Sequence, residues 1–109
     1  MTITINSTKI RDVVFAGATS LVVQSTNLNA GQTVDVVPEM YVRYAVLTVD
    51  GTGDIEVIYR VYINGDLYAE FTAGDVVVDS YANVNIKITA TNTDTANTRK
   101  TANLKLTYE

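Results

Sequence analysis

Apolar and polar residues alternate with a period of two along most of the chain, and the repeat of about 3.6 residues that marks an amphipathic helix is absent. A period of two places successive side chains on opposite faces of a strand, so the pattern predicts β-structure throughout. Val, Ile and Thr, whose branched side chains suit strands, supply 40 of the 109 residues. The predicted strands cover residues 2–5, 10–15, 20–26, 33–37, 41–49, 55–63, 67–72, 76–78, 83–91 and 101–108.

Turn residues separate these strands at short intervals. They include Gly31, the Gly-containing loop 50–54, the Asn64-Gly65 pair, Gly74 and the polar run 92–98. So many short strands in one chain of 109 residues indicate a single all-β domain over residues 1–109. We expect an antiparallel β-sandwich that is jelly-roll-like, because one open sheet could not bury so many strands.

A short internal echo bears on this architecture. Residues 30–36 (AGQTVDV) resemble residues 73–79 (AGDVVVD), and each is a Gly turn followed by a short strand. Ordinary reuse of a β-turn is one explanation. The alternative is that the domain consists of two related Greek-key halves, as a jelly roll does.

The central strands predict a hairpin with two apolar faces. Pairing 41–49 with 55–63 through loop 50–54 sets Val49 opposite Ile55. The core face then holds Ala45, Leu47, Val49, Ile55, Val57, Tyr59, Val61 and Ile63. The second face holds Val42, Tyr44, Val46, Ile58, Arg60 and Tyr62, which is too apolar for an ordinary solvent-facing surface.

The turn at Asn64-Gly65 sets the register of the next strand. A two-residue loop would place Tyr59 opposite Glu70 and mix apolar with polar positions. A three-residue loop or a bulge keeps the faces apart, so we predict one of these in place of the regular two-residue register. The predicted pairs are Tyr59–Phe71, Arg60–Glu70, Val61–Ala69, Tyr62–Tyr68 and Ile63–Leu67, and Tyr44 then lies beside Arg60 within reach of a cation–π contact.

The last two strands predict a C-terminal hairpin with one core face and one solvated face. Its core positions are Val84, Ile86, Ile88, Ala90, Ala102, Leu104, Leu106 and Tyr108. Asn, Lys and Thr occupy the alternate positions.

The composition removes most catalytic chemistry. The chain has no His and no Cys, so it lacks an imidazole base, a thiolate nucleophile and the usual zinc ligands. No glycine-rich phosphate loop precedes a helix, and no Ser lies in a nucleophile elbow. Glu56 and Glu70 could act as a carboxylate pair, but Glu70 is already assigned to Arg60, so surface acids are the simpler interpretation. We therefore expect no enzyme activity, no cofactor and no metal, and read Asp50 and Asp54 as turn residues rather than Ca²⁺ ligands.

The net charge of −4 combines an acidic middle with a slightly basic end. Residues 50–79 hold seven acids and one Arg, whereas residues 82–109 have a net charge of +2. Neither segment has the clustered Lys and Arg of a nucleic-acid surface. No apolar run approaches the roughly 20 residues of a membrane helix, and the N-terminus does not resemble a signal peptide, so we expect no membrane insertion and a cytoplasmic or virion location.

The Thr- and Asn-rich strands, the lack of Cys and His, and the ending from VNIKITATN (84–92) to LKLTY (104–108) resemble small jelly-roll modules of bacteriophage tails, baseplates and head fibres. The resemblance implies a non-enzymatic module that builds the particle with other virion proteins or binds host-surface glycans. It also implies a homo-oligomer, commonly a trimer.

Two functions follow from the sequence. The first is a virion structural or host-attachment module that forms a homo-oligomer through the second sheet face. The alternative is a carbohydrate-binding module in which Tyr44, Tyr62 and Tyr68 form the sugar platform. The candidate surface is the same for both, and comprises Val42, Tyr44, Val46, Ile58, Arg60, Tyr62, Tyr68 and Glu70.

Overall fold

The computed structural model describes residues 19–51, 54–96 and 99–109. The strands predicted at 2–5 and 10–15 lie outside these ranges. Every regular element in the described ranges is a strand, and none of these residues belongs to a helix that could span a membrane. The expected all-β class is confirmed for this part of the chain.

Six strands form one antiparallel sheet in the order β1-β6-β2-β5-β3-β4. Strands β2 and β5 are the longest, and they occupy the third and fourth positions in this order. Their ladder therefore forms the centre of the sheet. The six are β1 (Thr19–Leu28), β2 (Thr33–Asp50), β3 (Val57–Ile63), β4 (Asp66–Thr72), β5 (Val76–Asn92) and β6 (Lys100–Tyr108).

Two predicted breaks in the strands are absent. Strand β2 continues through Pro38, where the pairing with β5 shifts register between Asp35 and Val37 and again between Val37 and Met40. Irregularities of this kind accommodate a proline, which cannot donate a ladder hydrogen bond. Strand β5 likewise joins the segments predicted at 76–78 and 83–91. The Gly turns of the internal echo thus precede the two long strands that pair with each other.

The predicted central hairpin (41–49 with 55–63) and the predicted C-terminal hairpin (83–91 with 101–108) are both wrong. Strand β2 pairs with β5, so Val49 lies opposite Val77, and Ile55 sits in the turn before β3 with 69% of its surface exposed. Strand β6 pairs with β1 and β2 rather than with β5. The in-and-out pattern was nevertheless largely right, since the predicted core positions other than Ile55 are buried or pack against the core.

The register between β3 and β4 is confirmed over most of its length. Tyr59 pairs with Phe71, Arg60 with Glu70 and Val61 with Ala69. The two-residue turn is also kept, because Asn64 and Gly65 both have positive φ, 52° and 89°, as a type I′ turn requires. A bulge between the Val61 and Tyr62 pairs allows the predicted register and the two-residue turn to coexist. It changes the last predicted pairs to Tyr62–Leu67 and Ile63–Asp66.

The sheet curls so that strands distant in the sheet share one core. The Tyr59 hydroxyl of β3 lies 2.6 Å from the backbone N of Asn103 in β6, whose N–H donates to it, and 3.2 Å from the Asn103 carbonyl oxygen. At the other end, the Asn92 amide of β5 donates to the Leu28 carbonyl of β1 at 3.0 Å. The buried apolar residues of both halves form a single cluster.

In the ladder of β2 and β5, the alternation of buried and exposed side chains shifts by one residue midway along each strand; we call this the phase change. In β5 the change occurs at Ala82 and Asn83, which are both exposed, and Asn83 has a φ of 55°. In β2 the change occurs between Val42 and Ala45, at the matching position of the ladder. The buried residues of β5 are Val77, Asp79 and Tyr81 before the change, and Ile86, Ile88, Thr89, Ala90 and Asn92 after it, where Thr89 departs from the alternation.

Candidate functional site

Half of the predicted surface does share one face, but that face is polar. Ile58, Arg60 and Tyr62 lie on β3 in register with Thr91, Thr89 and Lys87 of β5, and Glu70 of β4 lies on the other side of Arg60. Arg60 Nε donates to Glu70 Oε2 at 2.6 Å, as the sequence predicted. The neighbouring strand therefore supplies Thr and Lys where the predicted hairpin would have supplied Val and Tyr.

The other predicted surface residues are dispersed. Val42 is fully buried in the core, because the phase change in β2 turns it inward. Tyr44 and Val46 lie on β2 opposite Ala82 and Ser80, on the other half of the sheet. The predicted contact between Tyr44 and Arg60 is wrong, since β5 separates their strands.

Tyr68 is also separated from the other tyrosines. It is the extra residue of the β4 bulge, and its ring packs edge-on against Tyr81 with 5.9 Å between ring centroids. The expected platform of Tyr44, Tyr62 and Tyr68 is therefore not assembled. Tyr62 alone remains on the Arg60 face.

A shallow depression adjoins Tyr62. We call it the Tyr62 depression; it has a volume of about 170 Å³ and is lined by Glu39, Tyr62, Gly65, Asn85 and Lys87. The Lys87 Nζ atom lies 4.9 Å from the centroid of the Tyr62 ring, within the range of a cation–π contact. The sequence could not reveal this pair, because nothing local to either residue shows that β3 and β5 are neighbours.

Local irregularities position the lining residues. Glu39 follows Pro38 in the segment of β2 where the register shifts, which places it near Lys87 of β5. The backbone of Asn85 is tied to the β3–β4 turn by two hydrogen bonds, one from its N–H to Asn64 Oδ1 at 2.9 Å and one from Asn64 N–H to its carbonyl at 2.8 Å. The positive φ of Gly65 completes the turn, and no heavy atom lies within 4 Å of the position a Cβ would take.

A second feature is a set of exposed apolar residues near the turns at Gly51 and Gly74, namely Ile55, Val76 and Val78, which we call the apolar corner. The side chain of Ile55 lies against Gly74, where an added Cβ would come within 2.7 Å of Ile55 Cγ2. Val76 lies against Gly51 in the same way, and the two glycines approach each other. Ile55 and Val76 remain 69% and 70% exposed, and Val78 is also exposed.

Of the acidic residues considered as catalytic or metal-binding groups, Glu56, Glu70 and Asp54 have basic or backbone partners, and the side chain of Asp50 lies outside the described part of the structure. Glu56 and Asp94 lie 2.9 and 3.6 Å from Lys100 Nζ, and the hydrogen bond to Glu56 is the main cause that raises the pKa of Lys100. Asp54 accepts hydrogen bonds from the backbone and hydroxyl of Thr101. Within the described ranges, no three acidic residues are grouped so that they could hold a metal ion.

One acid is buried. Asp79 is almost completely inaccessible, and its carboxylate accepts hydrogen bonds from the Ser80 N–H at 2.9 Å and the Tyr81 hydroxyl at 3.1 Å. Burial raises the pKa of Asp79, and it also raises the pKa of Tyr81. Because this pair is enclosed rather than open to a ligand, we interpret it as part of the core.

Comparison with known proteins gives no relative: no protein-family description, no curated protein and no solved structure matches this chain.

Proposed function

We propose that this chain is a non-enzymatic structural or attachment module of a virion, with a jelly-roll-like sandwich fold, that works as a homo-oligomer. The curled sheet with one shared core supports the sandwich interpretation. The virion setting and a trimeric state rest on the resemblance of the strand pattern to phage modules. Tail or capsid genes beside the coding sequence would support that setting.

The apolar corner carries the proposal of an oligomer. Each large apolar side chain left in water forgoes about 1.5 to 3 kcal/mol of burial, so the exposed Ile55 and Val76 are costly in an isolated chain. Gly51 and Gly74 leave room for Val76 and Ile55, because a Cβ added at either glycine would come close to the neighbouring side chain. A contact between copies would cover Ile55, Val76 and Val78 together.

Replacing Val76 with Asp tests this contact. Because Val76 is 70% exposed, the change should leave the fold intact while it places a charge in the contact. We expect the oligomer to dissociate, with association weakened at least about tenfold, in light scattering across a concentration series.

Ile58→Asp is the matched comparison, because it introduces the same charge on the outer face of β3. We expect this variant to retain the mass of the parent oligomer. Dissociation by Ile58→Asp alone would move the contact to the Arg60 face, and a monomeric parent chain would refute the oligomer.

The second candidate function is carbohydrate binding, which could also serve attachment. The Tyr62 depression favours it, because an aromatic ring, an acid, an amide and an ammonium group line one open concavity. Its test is binding of sugars to the intact chain, measured independently of the oligomeric state.

A further inference from the structure

We propose that the Tyr62 depression is a subsite for one neutral sugar ring that carries neighbouring hydroxyl groups. This inference rests on the second proposed function, carbohydrate binding, and it specifies the class of sugar and the groups that hold it. The argument uses the hydrogen-bonding groups, the charge, and the way in which the fold fixes the depression.

The hydrogen-bonding groups of the depression complement a diol. The Glu39 carboxylate only accepts hydrogen bonds, the Lys87 ammonium only donates, and the Asn85 amide does both. Two adjacent sugar hydroxyls offer two O–H donors together with oxygen lone pairs, so they can satisfy all three groups at once. Tyr62 adds an apolar wall suited to the C–H groups of a pyranose ring.

Among the described residues, these three polar groups have no hydrogen-bonding or ion-pairing partner, and Lys87 has only its cation–π contact with Tyr62. No hydrogen bond or ion pair to that part of the chain engages the side chain of Glu39, Asn85 or Lys87. In contrast, Arg60 is paired with Glu70 and Lys100 with Glu56. A ligand in the depression therefore replaces water rather than an existing ion pair, which lowers the cost of binding.

The charge and size of the depression favour a neutral monosaccharide unit. The formal charges of Glu39 and Lys87 cancel, so the depression has no net charge to compensate the desolvation of an acidic or basic sugar. A volume of about 170 Å³ is small for an extended ligand, but the depression is open, so a longer glycan could continue beyond it.

The fold fixes the backbone of the depression before any ligand arrives, and the contact with Tyr62 also holds the Lys87 side chain. The register shifts around Pro38 place Glu39, two hydrogen bonds tie Asn85 to the Asn64-Gly65 turn, and the cation–π contact holds Lys87 against Tyr62. Bulges are frequent next to functional sites, where they redirect a side chain. Such preorganisation reduces the ordering cost that a ligand pays.

The test is an NMR titration of the full chain with methyl glycosides of glucose, galactose and mannose, alongside glucuronate. We expect at least one neutral glycoside to shift the backbone amide signals of Glu39, Tyr62, Gly65, Asn85 and Lys87, with a millimolar dissociation constant. Glu39→Gln and Lys87→Met should each weaken binding about tenfold, the loss expected when a charged hydrogen-bond partner is removed.

Tyr62→Ala should abolish the shifts, and Tyr68→Ala on the neighbouring strand is its control. Tyr68 is also a tyrosine but does not line the depression, so the Tyr68→Ala variant should bind the glycoside as the parent chain does. Because Glu39 is exposed, Glu39→Gln tests the site even if Tyr62→Ala fails to fold.

Three outcomes would overturn the inference. Binding of glucuronate alone, unaffected by Glu39→Gln, would refute the neutral class but leave carbohydrate binding intact. Shifts confined to residues elsewhere would refute the site. No binding of any glycoside, or of glycans on a host-surface array, would refute both the subsite and carbohydrate binding, while the oligomer would still be judged by its mass.

Discussion

At the scale of single residues, the hydroxyl group of Tyr59 replaces a missing part of the ladder. The pairing of β1 with β6 shifts between Val23 and Thr26, and Asn103 lies in the stretch of β6 where the regular pairing is interrupted. Its backbone N–H and carbonyl both lie within hydrogen-bond distance of Tyr59, which is completely buried. A buried side chain thus satisfies backbone groups that would otherwise lack partners.

We expect Tyr59→Phe to lower the free energy of unfolding by about 1 kcal/mol or more, because it removes the hydrogen-bond partner of a part-buried backbone N–H while it preserves the ring. Denaturant unfolding measures this loss. Tyr41→Phe is the control, since Tyr41 is exposed and bonds only to the Asn83 side chain at 3.2 Å; its effect should stay within about 0.5 kcal/mol. Equal losses in the two variants would contradict the role of Tyr59.

Asp79 should make stability depend on pH. Because the pKa of Asp79 is raised in the folded state, the folded protein binds a proton at Asp79 more tightly than the unfolded chain does. The stability gained from this protonation is lost as the pH rises through the folded pKa. We therefore expect Asp79→Asn to raise the melting temperature near neutral pH, where the parent carboxylate is charged and buried. The gain should shrink as the pH falls below the raised pKa of Asp79 and approaches the ordinary value for Asp, about 4.

The control for Asp79→Asn is Asp35→Asn, the same change at an exposed position of β2. Its melting temperature should follow that of the parent across the pH range. If the melting temperatures of Asp79→Asn and the parent differ by the same amount at every pH, the proposed role of the buried Asp79 carboxylate would be contradicted.

At the scale of elements, Asn83 marks the phase change of the central ladder. Its φ of 55° lies in the left-handed region, which Asn tolerates and β-branched residues do not. Without this residue, β5 would bury either its first or its second half, since a strand of constant phase presents one set of alternate side chains to a single core.

We expect Asn83→Val to be less stable than Asn83→Gly by about 1 to 2 kcal/mol, the usual cost of the left-handed conformation for a residue with a Cβ. Both variants lose the hydrogen bond from the Tyr41 hydroxyl, so their difference isolates the backbone term. Denaturant unfolding of both variants measures that difference. Similar stabilities would contradict a backbone requirement at this position.

At the scale of the whole molecule, the shared core couples strands at opposite ends of the sheet. Strands β3 and β6 meet through Tyr59 and Asn103, and β5 and β1 meet through Asn92 and Leu28. Lys100 adds a link between the start of β6 and the turn that precedes β3, through Glu56. These contacts join segments that are not neighbours in the hydrogen-bonded ladder.

We expect the described strands to unfold as one cooperative unit. Backbone amide signals of Ala69 in β4 and Leu104 in β6, followed by NMR during denaturation, should disappear with the same midpoint, because each strand loses its core when the other leaves. Separate midpoints for the two strands would contradict the shared core. Circular dichroism in the same titration should show a β spectrum without a helical component.

Much of the fold could be predicted where neighbours in space are neighbours in sequence. The register that joins Val61 to Ala69 follows from a short turn and the hydrophobic pattern, and both lie within a few residues. The burial of Leu104 and Leu106 follows from alternation alone. Of the candidate site, the Arg60–Glu70 pair was predictable for the same reason, because it belongs to that hairpin.

The sequence by itself determined that the described part of the chain is all-β, which side of most strands is buried, and most of the register between β3 and β4. Only the tertiary structure decided that β2 pairs with β5, that Val42 is buried, and that Lys87 lies over Tyr62. The physical reason is that the alternation of apolar and polar residues specifies an inner and an outer face of a strand, but it does not specify which strand pairs with it. Partners that are distant in sequence are chosen by how the whole core is filled, and a bulge or one left-handed residue can reverse a face without an unambiguous local signal.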